Sequence, residues 1–201
     1  MVVTLIEKQK KNKNKYNIFI DDEYAFSCYV EDFLEVGLKE GDILTSEQYN
    51  YYVNLFSLKQ AQKDILKYLS YKMRTEYEVS KKLKENGYSD EIVKKLILKF
   101  KEYGYINDEI YAKLFIDEKK QMLYSKYRII NELKLKGVNI DIIYDLINEH
   151  YSSEYDILKK LIMKKYKFVT EENILKIKSY LYRNGFNLDE ADNVLKEIMT
   201  T

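Results

Sequence analysis

The chain has 201 residues, 46% hydrophobic and 33% charged, with 34 basic and 33 acidic side chains and a net charge of +1. That is enough apolar material for one or two packed domains and argues against a disordered polymer. One cysteine and one histidine leave no internal disulfide and no zinc site of Cys and His ligands, and no run approaches the ~18 apolar residues of a membrane span. The start "MVVTLIEKQKKN" lacks a signal-peptide apolar segment, so a cytoplasmic protein is expected.

The first 45 residues read as strands. "VVTLIE", "YNIFI" and "EYAFSCYV" are short β-branched or aromatic runs separated by the polar turn "KQKKNKNK" and by "DD". They predict a small antiparallel β module, with Cys28 as a buried small hydrophobe. Three strands bury little alone, so the module should lean on the helices that follow. "EDFLEVGL" predicts a short helix stopped at Gly37. "TSEQ" predicts a capping box in which Thr45 caps and Gln48 reaches back. Apolar residues at Tyr49, Tyr52, Val53, Phe56, Ala61, Ile65, Leu66 and Leu69 then recur at helical spacing, as one long helix or as two pieces breaking near Ser57.

From Arg74 a unit begins that is written three times. Thr75 and Glu78 open a capped helix that stops at Gly87, and Ser89 caps the next. Leu83, Gly87, Tyr88, Ile92 and Leu96 stand at relative positions 0, 4, 5, 9 and 13, and Leu133, Gly137, Val138, Ile142 and Leu146 repeat those offsets. Leu181, Gly185 and Phe186 start a third copy, in which the next apolar position slips to Ala191. Each glycine supplies the left-handed residue after a helix end, and Ser89, Asn139 and Asn187 are placed to cap the following helix. A period of 50 and then 48 residues suits about three helices per copy. The expected architecture is mainly α: an elongated series of tandem three-helix, helix-turn-helix-like repeats behind the β module. The boundaries predicted are 1–45 for the β module, 46–104 for repeat 1 with its lead-in helix, 105–150 for repeat 2 and 151–201 for repeat 3.

Charge is unevenly distributed. Residues 1–20 hold five lysines against Glu7, residues 21–50 nine acids against Lys39, and residues 59–116 thirteen basic against nine acidic side chains. A protein that held DNA by its phosphates alone would need a strong basic excess. The balance points to a protein partner, or to a mixed protein and nucleic-acid partner.

Catalytic chemistry finds little material. All six glycines have turn or helix-stop duties, Gly41 and Gly104 included, so no phosphate-cradling loop remains. His150 stands near a predicted helix end, where it suits the helix carbonyls. The acids fall at predicted caps and solvated helix faces. No catalytic residue, metal or cofactor is expected. Of the 21 tyrosines, Tyr68, Tyr103 and Tyr111 fall at positions expected to face the core. In "KKYKF" and "SYLYRNGF", Tyr166, Phe168, Tyr180 and Phe186 can be read as core, or as platforms for unpaired bases.

The residues from 58 to 198 resemble the RecX regulatory proteins. In the first repeat the resemblance is carried by Arg74, Thr75, Glu76, Glu78, Lys82, Leu83, Gly87, Tyr105, Ile106, Asn107, Asp108, Tyr111 and Ala112. Arg128, Ile129, Glu132, Leu133, Lys136 and Gly137 carry it in the second, and Tyr180, Leu181, Arg183, Gly185 and Phe186 in the third. The family usually has Gly-Pro ahead of the second-repeat arginine, where this chain has Ser125 and Lys126. The N-terminal strands resemble the extension of Gram-positive-type members. The resemblance implies an all-helical repeat protein, not an enzyme, that lies in the groove of the RecA–single-stranded DNA filament. It further implies restraint of ATPase, strand exchange and repressor cleavage, within homologous recombination, DNA repair and the SOS response.

The expected partner is therefore the RecA filament, with single- or double-stranded DNA as a further contact, no membrane, and a monomeric chain. Candidate contact residues are the basic ones predicted on exposed helix faces: Arg74, Lys81, Lys82, Lys94, Arg128, Lys164, Lys165 and Arg183. Arg74 and Arg128 lie at helix starts, where a cation opposes the dipole and calls for an anion beside it. The rival readings are a helix-turn-helix DNA-binding protein, an adaptor for another protein, and a carboxylate metalloenzyme.

Overall fold

The computed structural model describes residues 1–151, 153–166 and 168–200. Among the described residues three strands, β1 (Val3–Lys8), β2 (Lys15–Ile20) and β3 (Glu23–Tyr29), are followed by ten helices. These are α1 (Val30–Val36), α2 (Ser46–Tyr71), α3 (Glu76–Glu85), α4 (Asp90–Glu102), α5 (Asp108–Gln121), α6 (Lys126–Leu135), α7 (Ile140–His150), α8 (Tyr155–Lys165), α9 (Ile174–Arg183) and α10 (Leu188–Thr200). The chain groups into two compact units, one of residues 1–72 and 79–103, the other of 73–78 and 104–201, so the first turn of α3 belongs with the second.

In the first unit the strands pair antiparallel in the order β1-β2-β3. Asp21 and Asp22 take positive φ (50° and 66°), the conformation of a tight two-residue hairpin between β2 and β3. Alternation puts Ile18, Ile20, Phe26 and Cys28 on one face, where they pack with Val3, Leu38, Leu44 and Phe56. Phe26 and Phe56 stack with ring centroids 5.3 Å apart, so the sheet does lean on α2. Burial, reinforced by Asp32, pushes the Cys28 thiol up to about 11. Helix α1 ends on Gly37 in the left-handed conformation, and α2 begins with the Thr45–Gln48 capping box. Without glycine or proline near Ser57, α2 runs unbroken for 26 residues. Asp32 departs from the expectation that acids are solvated: it is buried, and Lys59 (3.2 Å) and Lys63 (2.9 Å) from α2 neutralise it. Tyr88 likewise finds an acid, donating to Asp64 at 2.7 Å.

The three glycine corners share one geometry. Tyr88 N–H donates to Leu83 C=O, Val138 N–H to Leu133 C=O and Phe186 N–H to Leu181 C=O, at 3.1–3.2 Å, while each glycine N–H donates three residues back at 2.9 Å. This is the Schellman arrangement, and it requires the positive φ found at Gly87, Gly137 and Gly185. Ser89, Asn139 and Asn187 cap the next helix in each corner.

The core register corrects one expectation. The first buried apolar residue of the second helix stands ten positions after the leucine: Val93, Ile143 and Ala191. Ile92 and Ile142 are only half-buried. Ala191 is therefore in register, and the apparent slip of the third copy does not exist. Leu96, Leu146 and Val194 follow at thirteen, and Ile97, Ile147 and Leu195 at fourteen. Tyr103 is a second correction. It caps α4 from outside the helical stripe and is 62% exposed.

In the second unit, α5, α6 and α7 enclose one core, in which Ala112, Ile116, Ile129, Leu133 and Ile143 are buried and Tyr111 packs at the edge. Helices α8, α9 and α10 enclose another around Leu158, Ile162, Ile177, Leu181 and Phe186. Tyr166 and Tyr180 pack against that second core, whereas Phe168 is exposed. Lys167 of "KKYKF" lies outside the described residues.

Candidate partner-binding surface

The second unit is tied together by a set of bonds that occurs twice. The Thr75 hydroxyl accepts the Glu78 N–H at the start of α3 and donates to the Lys136 carbonyl at the end of α6, 2.6 Å away. The Ser125 hydroxyl accepts the Arg128 N–H at the start of α6 and donates to the Asn184 carbonyl at the end of α9, 2.7 Å away. Both hydroxyl residues are completely buried. One residue on, Glu76 N–H donates to the Asp108 carboxylate at 2.8 Å, and Lys126 N–H donates to the Glu154 carboxylate. Two residues on, Tyr77 and Tyr127 lie against the bare Cα atoms of Gly137 and Gly185. A Cβ at Gly137 would stand 2.3 Å from the Tyr77 Cβ, and one at Gly185 2.9 Å from the Tyr127 ring. Ser125 and Lys126, the residues in place of Gly-Pro, are thus the cap and first helical residue of a well-formed start to α6. Glu154 is a further buried acid; burial raises its carboxyl pKa, with Glu190 adding to the rise and the Lys126 N–H opposing it.

The second of these joints leaves a groove of about 220 Å³ on its outer side. Helix α6 supplies Tyr127, Asn131 and Leu135 at i, i+4, i+8, with Arg128 and Glu132 beside them, and the end of α9 supplies Tyr182 and Arg183. Leu135 is 81% exposed, and Tyr127 and Tyr182 are mostly exposed too. Arg128 stacks on the Tyr124 ring, 3.6 Å from its centroid, and its Nε donates to Glu132 at 3.0 Å. Arg183 Nε donates to the Ser179 carbonyl at 3.2 Å. Among the described residues, no hydrogen bond engages the terminal nitrogens of either guanidinium, so both keep donors to spare.

Of the eight basic residues expected to contact a partner, the structure brings together Arg128 and Arg183. Lys164 and Lys165 close α8, with the Lys165 ammonium 3.2 Å from the Tyr180 ring centroid. Lys81, Lys82 and Lys94 are exposed on α3 and α4, and Arg74 is half-buried ahead of Thr75. The anion expected beside Arg128 is Glu132. Sequence reasoning missed the apolar members of the groove, Tyr127, Leu135 and Tyr182. The sequence offers only a faint signal for them, Tyr127 and Leu135 eight positions apart on the Asn131 face of α6 and Tyr182 beside Arg183.

Residues 1–45 match the model of the regulatory protein RecX N-terminal domain, and residues 63–100 the model of the first three-helix domain of RecX. The regulatory protein RecX of Caldanaerobacter subterraneus subsp. tengcongensis is 42% identical over 197 residues, covering 97% of this chain and 98% of that one. The chain belongs to the RecX family. RecX of Clostridium acetobutylicum is 32% identical over 213 residues, covering 98% and 96% of the two chains. A crystal structure of regulatory protein RecX superimposes with a TM-score of 0.67 at 27% identity, covering 96% of this chain and 98% of its own. RecX from Lactobacillus salivarius gives 0.63 at 25% identity over 72% of this chain and 98% of its own. As a RecX protein the chain is a regulator and not an enzyme. No helix among the described residues is long and apolar enough to cross a membrane.

Proposed function

We propose that this RecX protein binds the RecA recombinase filament assembled on single-stranded DNA in the cytoplasm and restrains its ATPase, strand-exchange and coprotease activities. The observation that carries the reading is near-full-length similarity to regulatory proteins of the RecX family, at up to 42% identity. The physical logic is multivalent. Several three-helix blocks in one chain make several modest contacts, each raising the effective concentration of the next.

The helix-turn-helix rival is disfavoured by charge. A reading helix offers its first turn to the DNA. Here the second helix of each corner opens with acids: Asp90 and Glu91 in α4, Asp141 in α7, Asp189 and Glu190 in α10. Those carboxylates would face phosphates.

The test is a titration of the purified chain into RecA from the same organism while following single-stranded-DNA-dependent ATP hydrolysis. Hydrolysis should fall below one chain per RecA subunit, with the chain co-sedimenting with filaments. Unchanged hydrolysis without co-sedimentation would overturn the reading, and tight, salt-sensitive duplex binding in the absence of RecA would favour the rival.

A further inference from the structure

We propose that the groove between α6 and α9 is a peptide-binding site for a segment that carries carboxylates next to a large apolar side chain. This deepens the filament-binding reading by naming one contact surface, and it rests on that reading for its biological partner.

Two features of the groove select the chemistry. Arg128 and Arg183 each have Nε committed within the chain and a planar fork left over, the geometry that receives a carboxylate through two parallel hydrogen bonds. Arg128 is also held by its stack on Tyr124, so less side-chain entropy is lost on binding. Between and beside the guanidiniums lie Tyr127, Leu135 and Tyr182, exposed apolar surface that a partner would remove from water.

The same features disfavour a phosphodiester strand. Glu132 lines the groove and neutralises part of its charge, and a nucleic-acid track calls for successive cations along its length. The exposed Tyr127 and Tyr182 rings are faces on which a base stacks, so the oligothymidylate arm of the test below discriminates. A side chain such as leucine or phenylalanine seated there, with Asp or Glu on either side, satisfies both the apolar and the cationic halves. The opening left by Gly185 is already filled by Tyr127, so the groove is lined and not a seam waiting to close.

The probe is a fluorescein-labelled octapeptide, Asp-Glu-Asp-Leu-Phe-Asp-Glu-Asp, titrated into the full chain and followed by anisotropy, with a labelled oligothymidylate of matched charge in parallel. The peptide should bind at sub-millimolar concentration. Arg128→Glu with Arg183→Glu, and separately Leu135→Ser, should each weaken it about tenfold or more, the loss expected for charge-assisted bonds and a buried apolar anchor. Lys113→Glu, on an exposed position of α5, should not. Circular dichroism confirms that each variant is folded, and Leu135→Ser supplies a second readout if the double charge reversal is not. Absence of peptide binding, equal binding by the variants, or a loss confined to the oligothymidylate overturns the proposal. RecA co-sedimentation of the same variants separates the two claims. Wild-type protein that binds peptide but no filament sinks the filament reading alone, and variants that lose the peptide but keep full filament affinity sink the groove as a RecA contact.

Discussion

The Thr75 hydroxyl sits 2.6 Å from the Lys136 carbonyl, sixty-one residues away in the chain, and the Ser125 hydroxyl repeats the relationship with Asn184 at 2.7 Å. Each hydroxyl does two jobs, capping its own helix and satisfying the last carbonyl of another. Replacing Thr75 by valine keeps the shape but takes the donor from a part-buried carbonyl and leaves a helix uncapped. We expect a loss of about 1–3 kcal/mol in urea unfolding. Thr75→Ser should recover most of it.

The glycines at the corners share a positive φ but not an environment. At Gly87 nothing lies within 4 Å of an added Cβ, whereas at Gly137 the Tyr77 side chain occupies that space. Gly87→Ala should therefore cost only the backbone penalty, about 1–2 kcal/mol. Gly137→Ala should cost about 1–3 kcal/mol more through overpacking. Parallel denaturation of the two variants checks this; equal losses would mean that Tyr77 moves aside without resistance.

Glu154 makes stability depend on pH in a definite direction. Burial raises its carboxyl above the ordinary value of 4.5, so the folded protein holds this proton more tightly than the unfolded chain does. The charged form carries a cost that is absent at low pH and grows as pH rises from the ordinary carboxylate value through the raised one. Glu154→Gln removes that dependence. Wild type should lose ground relative to the variant as pH climbs through that window, as read by thermal unfolding at a series of pH values.

Cys28 should be inert in the native protein. It is 3% exposed and its thiol is held at about 11, so little thiolate forms at neutral pH and reagents have no approach. Labelling with a maleimide at pH 7.5 should be slow and become rapid in 6 M guanidinium. Fast native labelling would place the β module outside the packing described.

Much of this fold was legible in the residues because its signals are local. The corners at Gly87, Gly137 and Gly185, the capping box at Thr45 and the three strands each depend on side chains within a few positions of one another. What was not legible depends on distant partners. Val93, Ile143 and Ala191 hold the core position, yet Ile92 and Ile142 look equally suitable until the crossing helices are in place. Asp32 and Glu154 read as solvated acids because Lys59, Lys63 and the α6 N-terminus that compensate them come from elsewhere. For the groove, Arg128 and Arg183 were recognisable as exposed cations, but fifty-five positions separate them in the chain, and only the Ser125–Asn184 joint makes them neighbours.

The two-faced hydroxyl also gives the repeat a direction of growth. A block contributes a hydroxyl and a tyrosine at one end and accepts them on a carbonyl and a glycine at the other, so duplicated copies can be added only in one order. The outer positions of the three copies depart from this pattern. Gly87 meets no tyrosine, and the places matching Thr75 and Tyr77 in the final copy hold Asn173 and Leu175.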